Sequence, residues 1–172
     1  MKTRTCAFAL LVILALVWWG FESGPLFGQS KILTTIELTN QAEVVAVGNV
    51  AAMKAEWSAD KTRIVTRVTV SVREYLKGGG ETQMSILTPG GEIGEIGEMY
   101  SGTARFTDNE EVVVFVKGGT NRDFRLTGGA QGKTTITRDK TSGAMMVGPA
   151  MKLEEFVSSV KSALQAPMPE EK

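Results

Sequence analysis

Residues 63–76 read Arg-Ile-Val-Thr-Arg-Val-Thr-Val-Ser-Val-Arg-Glu-Tyr-Leu. Ile64, Val68, Val70 and Val72 alternate with Arg67, Thr69, Ser71 and Arg73. Successive side chains on a strand point to opposite faces, so this run predicts a long strand with one apolar and one polar face. Its neighbours extend the pattern. Upstream, Val44 to Val50 is apolar at Val44, Val45, Ala46 and Val47, which predicts a strand covered on both faces. Ala59, Asp60 and Lys61 mark the turn between the two. Downstream, Gly78, Gly79 and Gly80 end the long strand, and Thr82 to Leu87 predicts a third that stops at Pro89-Gly90-Gly91. Residues 90–109 form a long connection rich in Gly and Glu, with a short strand expected around Ile93 to Ile96. Glu111 to Val116 is apolar almost throughout and predicts a central strand. Gly118 and Gly119 turn the chain, Asp123 to Leu126 pairs back, and Lys133 to Thr137 is the expected last strand.

A helix is expected at each end of this series. Thr34 to Gln41 carries Leu38 and Ala42 on one side, with Thr35 as the expected N-cap. Leu153, Phe156, Val157, Val160 and Leu164 recur at helical spacing, so Lys152 to Leu164 is expected as an amphipathic helix. The fold class that follows is mainly β: a small OB-like barrel with a short N-terminal helix and an amphipathic C-terminal helix. Two of its strands are apolar on both faces, so they need cover outside the barrel, and the two helices are the candidates.

The first residues have a different character. Lys2 and Arg4 precede an unbroken apolar run from Ala7 to Trp19, which Gly20, Glu22, Ser23, Gly24 and Pro25 interrupt. A charged start, a short apolar stretch and a small-residue exit describe a secretory signal peptide over residues 1–28. Cleavage is expected after Gly28, with Leu26 at the third position back. The alternative is an uncleaved anchor, in which Phe21, Leu26 and Phe27 extend the apolar contact. Export implies a periplasmic or extracellular location and leaves one domain, residues 29–164, followed by a disordered tail at 165–172 containing Pro167 and Pro169.

Composition narrows the chemistry. Nineteen Lys plus Arg balance nineteen Asp plus Glu, so no charge bias points to a nucleic acid or a membrane surface. The chain has no histidine, and its only cysteine is Cys6, inside the expected signal. The exported part therefore has no His base, thiol nucleophile, Cys/His metal site or disulfide, and core packing alone must hold it.

Three short motifs carry a resemblance. They are Pro89-Gly90-Gly91, the Phe-x-x-x-Glu-Glu-Val of Phe106 to Val112, and Gln131-Gly132-Lys133. With them, residues 35–164 resemble an uncharacterised domain of exported bacterial proteins whose motifs have no assigned chemistry. The order of elements is also similar to netrin-type modules, which include the tissue inhibitors of metalloproteinases. That likeness rests on Gln41-Ala42-Glu43-Val44-Val45, on Glu74-Tyr75-Leu76-Lys77-Gly78, and on the strand Glu111 to Val116 after a Gly-rich loop. It implies a barrel and, by shape alone, an inhibitor. Those inhibitors grip a target's metal through an N-terminal cysteine, which the exported part of this chain lacks.

Other motifs have competing readings. Gly128-Gly129-Ala130-Gln131-Gly132-Lys133-Thr134 is one residue short of a phosphate loop, and the β-branched residues that follow favour a strand over the required helix. A tight turn is expected there, and no nucleotide. Ser58-x-x-Lys61 and Ser158-x-x-Lys161 match a nucleophile–lysine spacing but fall in a turn and on a solvated helix side. Glu92, Glu95 and Glu98 repeat every third residue among glycines. Such carboxylates suit a hard cation, but no Asp-rich calcium loop accompanies them, so a charged edge is expected and no metal or cofactor. Arg63, Arg67, Arg73 and Lys77 are expected to share the polar face of the long strand, paired with carboxylates across strands rather than with nucleic acid.

No catalytic constellation emerges. The leading expectation is a non-enzymatic binding module for an exported protein, with Glu92, Glu95, Met99 and Tyr100 on the long connection as the contact residues. An inhibitor of an exported protease and a carboxylate-dependent hydrolase are the alternatives. Tyr100 and Phe106 have a second reading, in which both fold back to plug one end of the barrel.

Overall fold

The computed structural model describes residues 31–118, 123–149 and 151–165. The expected signal over 1–28 and the tail beyond residue 165 lie outside the described residues. In chain order the elements are α1 (Thr35–Gln41), β1 (Val44–Trp57), β2 (Ile64–Lys77), β3 (Gln83–Pro89), β4 (Gly91–Ile93), β5 (Ile96–Glu98), β6 (Glu111–Gly118), β7 (Phe124–Leu126), a 3-10 turn (Gly129–Gly132), β8 (Lys133–Arg138), β9 (Met145–Val147), β10 (Met151–Lys152) and α2 (Leu153–Gln165). Strands are 48% of the described residues and helices 18%, so the fold is mainly β.

Strands β1, β2, β3, β7 and β6 neighbour one another in that order, and β1 also pairs with β6, which closes a five-stranded OB-like barrel. Every pairing in the ring is antiparallel except β3 with β7, which is parallel and meets at Ile86 and Phe124 alone. One edge of β6 serves two partners. Val116, Lys117 and Gly118 pair with β7, while Val112, Val113 and Val114 pair with β8. Strands β9 and β10 continue outward from β8, so Lys133–Arg138 is not the last strand. Each of the two added strands is only two or three residues long, too short for an alternation to show.

The doubly apolar strands β1 and β6 separate two cores. Inside the barrel lie Val44, Ala46, Val50, Val68, Val70, Ile86, Val112, Val114 and Val116. On the outer face, Val45, Val47, Val113 and Phe115 pack with Leu38 of α1, with Ala42 at its C-cap, and with Phe156 and Val160 of α2. The helices are thus the cover that the sequence demands. Phe156 meets Phe115 edge-on, with ring centroids 6.0 Å apart. Leu164 is exposed and Ala163 buried in its place, so the apolar stripe of α2 ends one residue earlier than its spacing implies.

Three details depart from the expected elements. The N-cap of α1 is Thr34 rather than Thr35. Thr34 Oγ1 accepts from the Glu37 amide at 3.2 Å, and Thr34 N donates to Glu37 Oε2 at 2.8 Å. This capping box needs the acid three residues after the cap, which fixes the cap at Thr34. Strand β1 runs seven residues past Val50, because its pairing skips Ala51 and then resumes with Ala52 opposite Thr69. That bulge shifts the alternation by one residue, so residues 51–57 look unlike a strand in the sequence. The third departure is on β2, where Arg73 falls between the paired residues Val72 and Glu74 and breaks the expected cationic stripe. Arg67 pairs with Glu56 and Asp123, Arg73 pairs with Glu111, and Lys77 donates to the carbonyls of Thr39, Asn40 and Ala42 behind α1.

Candidate functional site

The long connection from β3 to β6 folds over one mouth of the barrel. Its first part is the hairpin β4–β5, in which Ile93 pairs with Ile96 and Gly91 with Glu98. The single strand expected at Ile93 to Ile96 is therefore two strands with the turn between them. Pro89-Gly90-Gly91 makes the crossing possible. Gly90 has φ +90° and Gly91 φ +141°, and a Cβ on Gly91 would lie 2.6 Å from Thr66 Oγ1. Only glycine combines that backbone with so close an approach. Thr66 Oγ1 donates to Gly90 O at 2.7 Å, and Gly90 N donates to Ile64 O at 2.9 Å, which ties the hairpin base to β2.

Residues 99–106 follow as a strap. Phe106 packs against the inner core, and Ala104 is buried. The strap is held from below by the turn before β8. Ala130 N donates to Gly102 O at 2.9 Å, and Lys133 Nζ donates to Arg105 O at 2.8 Å. Lys133 also pairs with Glu110 and stands 5.2 Å from the Phe106 ring centroid. The Lys133 and Glu110 side chains are 11% and 13% exposed. Burial alone would raise the Glu110 carboxyl, but hydrogen bonds from Lys133 and Thr135, the Lys133 charge and the Thr107 amide together hold it below the ordinary range. The three sequence motifs thus meet in space: the Pro-Gly-Gly crossing, Phe106 with Glu110, and the Gly-Lys turn all frame one mouth of the barrel.

Between hairpin, strap and barrel lies a groove of about 770 Å³. Met53 and Ala55 line it from the extended end of β1, with Glu92, Glu98, Met99 and Tyr100 opposite. Met99 is 80% exposed and Tyr100 42%. Trp57, next along the same face of β1, and Ile96 at the hairpin turn are exposed as well. Tyr100 OH donates to Glu98 Oε2 at 2.9 Å, and Ile64 N donates to the same oxygen at 3.0 Å. The first of these bonds, with the neighbouring carboxylate charge, raises the phenol above its ordinary pKa. Arg105 lies beside Met99, its Nη2 3.2 Å from Sδ.

Three of the four expected contact residues, Glu92, Met99 and Tyr100, line this groove, whereas Glu95 sits in the turn of the hairpin and does not. The plug reading divides: Phe106 packs onto the inner core, while Tyr100 stays at the surface. Sequence reasoning missed Met53 and Trp57, because the bulge at Ala51 hides their strand. It also missed that Glu98 is an internal anchor, which no local pattern distinguishes from Glu92.

The remaining motifs have structural roles. Gly129–Gly132 is a 3-10 turn leading into β8, and Lys133 is committed to Glu110. Ser58 Oγ donates to Asp60 at 2.6 Å and accepts from Arg63 N at 3.1 Å, and Ser158 Oγ donates to Glu154 O at 2.9 Å. Hydrogen bonding from Ser58 and Thr62 holds Asp60 down to about 2. Among the described residues no three His, Cys, Asp or Glu side chains gather where they would hold a metal ion, and no helix is long and apolar enough to cross a membrane. No protein-family model matches the chain, and no curated protein matches it.

Proposed function

We propose that this chain is an exported, non-enzymatic binding module whose contact surface for a protein partner is the mouth groove with its exposed rim. One observation carries the reading: Met53, Met99 and Tyr100 stay exposed along one groove, with Trp57 on the same strand as Met53 and Ile96 on the hairpin exposed as well, while Glu98, Lys133 and Glu110 brace the structure beneath. Apolar groups gathered at a concave surface favour a partner over solvent. Methionines adapt to varied shapes, and a tyrosine presents an apolar ring with a polar tip. The base of the groove is rigid through Glu98, Lys133 and Glu110, so little ordering cost falls on binding.

A photo-crosslinking residue placed at position 99 tests this in the exported fraction of the source cells. A discrete adduct that disappears when Tyr100 is replaced by Ala supports the reading. Adducts no different from those of the same residue at Glu155, on the far helix, count against it. The likeness to netrin-type modules supports a second reading, an inhibitor of an exported protease, in which the exposed turn at Ile96 would enter the enzyme. Inhibition of such a protease, lost on Ile96→Asp, would favour that form of the contact.

A further inference from the structure

A second cleft lies behind the strap, separated from the mouth groove by Thr88, Pro89, Thr103 and Ala104, which line both. Its volume is about 330 Å³, and its walls include Val65, Leu87, Pro89 and Leu126. Arg63 and Arg125 border it. Strand alternation puts both arginines on the outer surface. Ile64 and Val68 are buried, so Arg63 and Val65 point outward, and Phe124 and Leu126 pack on the inner core, so Arg125 points outward too. The two arginines within β2, Arg67 and Arg73, are neutralised by carboxylates. The guanidiniums of Arg63 and Arg125 have no carboxylate within ion-pair distance and no hydrogen-bond acceptor among the described residues. The cleft also lies at the seam of the barrel, where β3 meets β7 at the single pair Ile86 and Phe124.

We propose that this cleft binds the C-terminal residue of a polypeptide. Its apolar side chain would lie among Val65, Leu87 and Pro89, and its terminal carboxylate would be held by Arg63 and Arg125. Charge complementarity carries the assignment, because two uncompensated guanidiniums beside an apolar wall select one anion attached to an apolar body. Size is compatible with this: the cleft sits at the bottom of the range for ligand sites, roughly 300–1,000 Å³, which suits one or two residues. The open seam beside β3 gives an extended chain end a place to lie.

Fluorescence anisotropy of the full chain with a labelled hexapeptide ending in leucine tests this. The free acid is expected to bind, and its C-terminal amide to bind at least tenfold more weakly, which corresponds to about 1.4 kcal/mol. Arg63→Gln and Arg125→Gln should each weaken the acid at least tenfold with an unchanged melting temperature. Met99→Ser, in the mouth groove, should leave peptide binding intact, which separates this site from that one. Equal binding of acid and amide, or no binding of the acid, overturns the proposal. So does displacement of the peptide by decanoate at concentrations below the peptide's own Kd, which would make the cleft a fatty-acid site.

Discussion

Replacing Phe156 by Ala tests how the two cores depend on one another. Phe156 is 4% exposed and packs on the outer face of β6 against Phe115, among Val113 and Val160. Removing a buried phenylalanine ring typically costs about 3–5 kcal/mol, through lost transfer energy and the cavity left behind. The edge-on pair with Phe115 puts this site in the upper part of that range. For a domain of this size, about 3–5 °C of melting temperature is lost per kcal/mol. Thermal unfolding followed by circular dichroism should therefore shift down by roughly 12–25 °C. Glu155→Ala, on the exposed side of the same helix, should stay within about 0.5 kcal/mol of the parent. If Phe156→Ala melted within error of the parent, α2 would be an appendage, and the claim that β1 and β6 need an outer cover would fail.

Two further predictions concern the brace beneath the site. Lys133→Met leaves Glu110 buried without its cation and should destabilise by about 3–5 kcal/mol, measured by urea unfolding. The Glu110 carboxyl is held below its ordinary value in the folded chain, so its contribution is fully present above the unfolded value and fades as pH falls through the folded one. Stability should therefore drop on acidification below about pH 4.5, and Glu110→Gln should be less stable at neutral pH but show a flatter acid limb.

Much of this fold was legible because its strands state their surroundings. The alternation at Ile64 to Val72 gave β2, and the apolar runs at Val45–Val47 and Val112–Val116 demanded the two helices that cover them. Legibility failed where pairing slips. The skipped residues Ala51 and Arg73 shift side chains to the opposite face, and a bulge is decided by the partner strand rather than by local sequence. The site was legible as a long Gly-rich connection carrying Met99 and Tyr100. Its other wall, Met53, came from a strand hidden by the first bulge. Lys133 was singled out only as part of a Gly-Lys motif, and its pairing with Glu110 is visible only once β8 lies beside β6.

The contact surface at the barrel mouth is the central claim, and a paired measurement on Tyr100→Ala tests it most directly. Tyr100 is 42% exposed and bonds only to Glu98, which Ile64 N still holds after the substitution. The variant should thus lose no more than about 0.5 kcal/mol of stability, while the adduct formed from position 99 falls at least tenfold. A variant that unfolds several degrees early would make the tyrosine part of the architecture. A variant that keeps both its stability and its partner would show that the mouth groove is not where the partner binds.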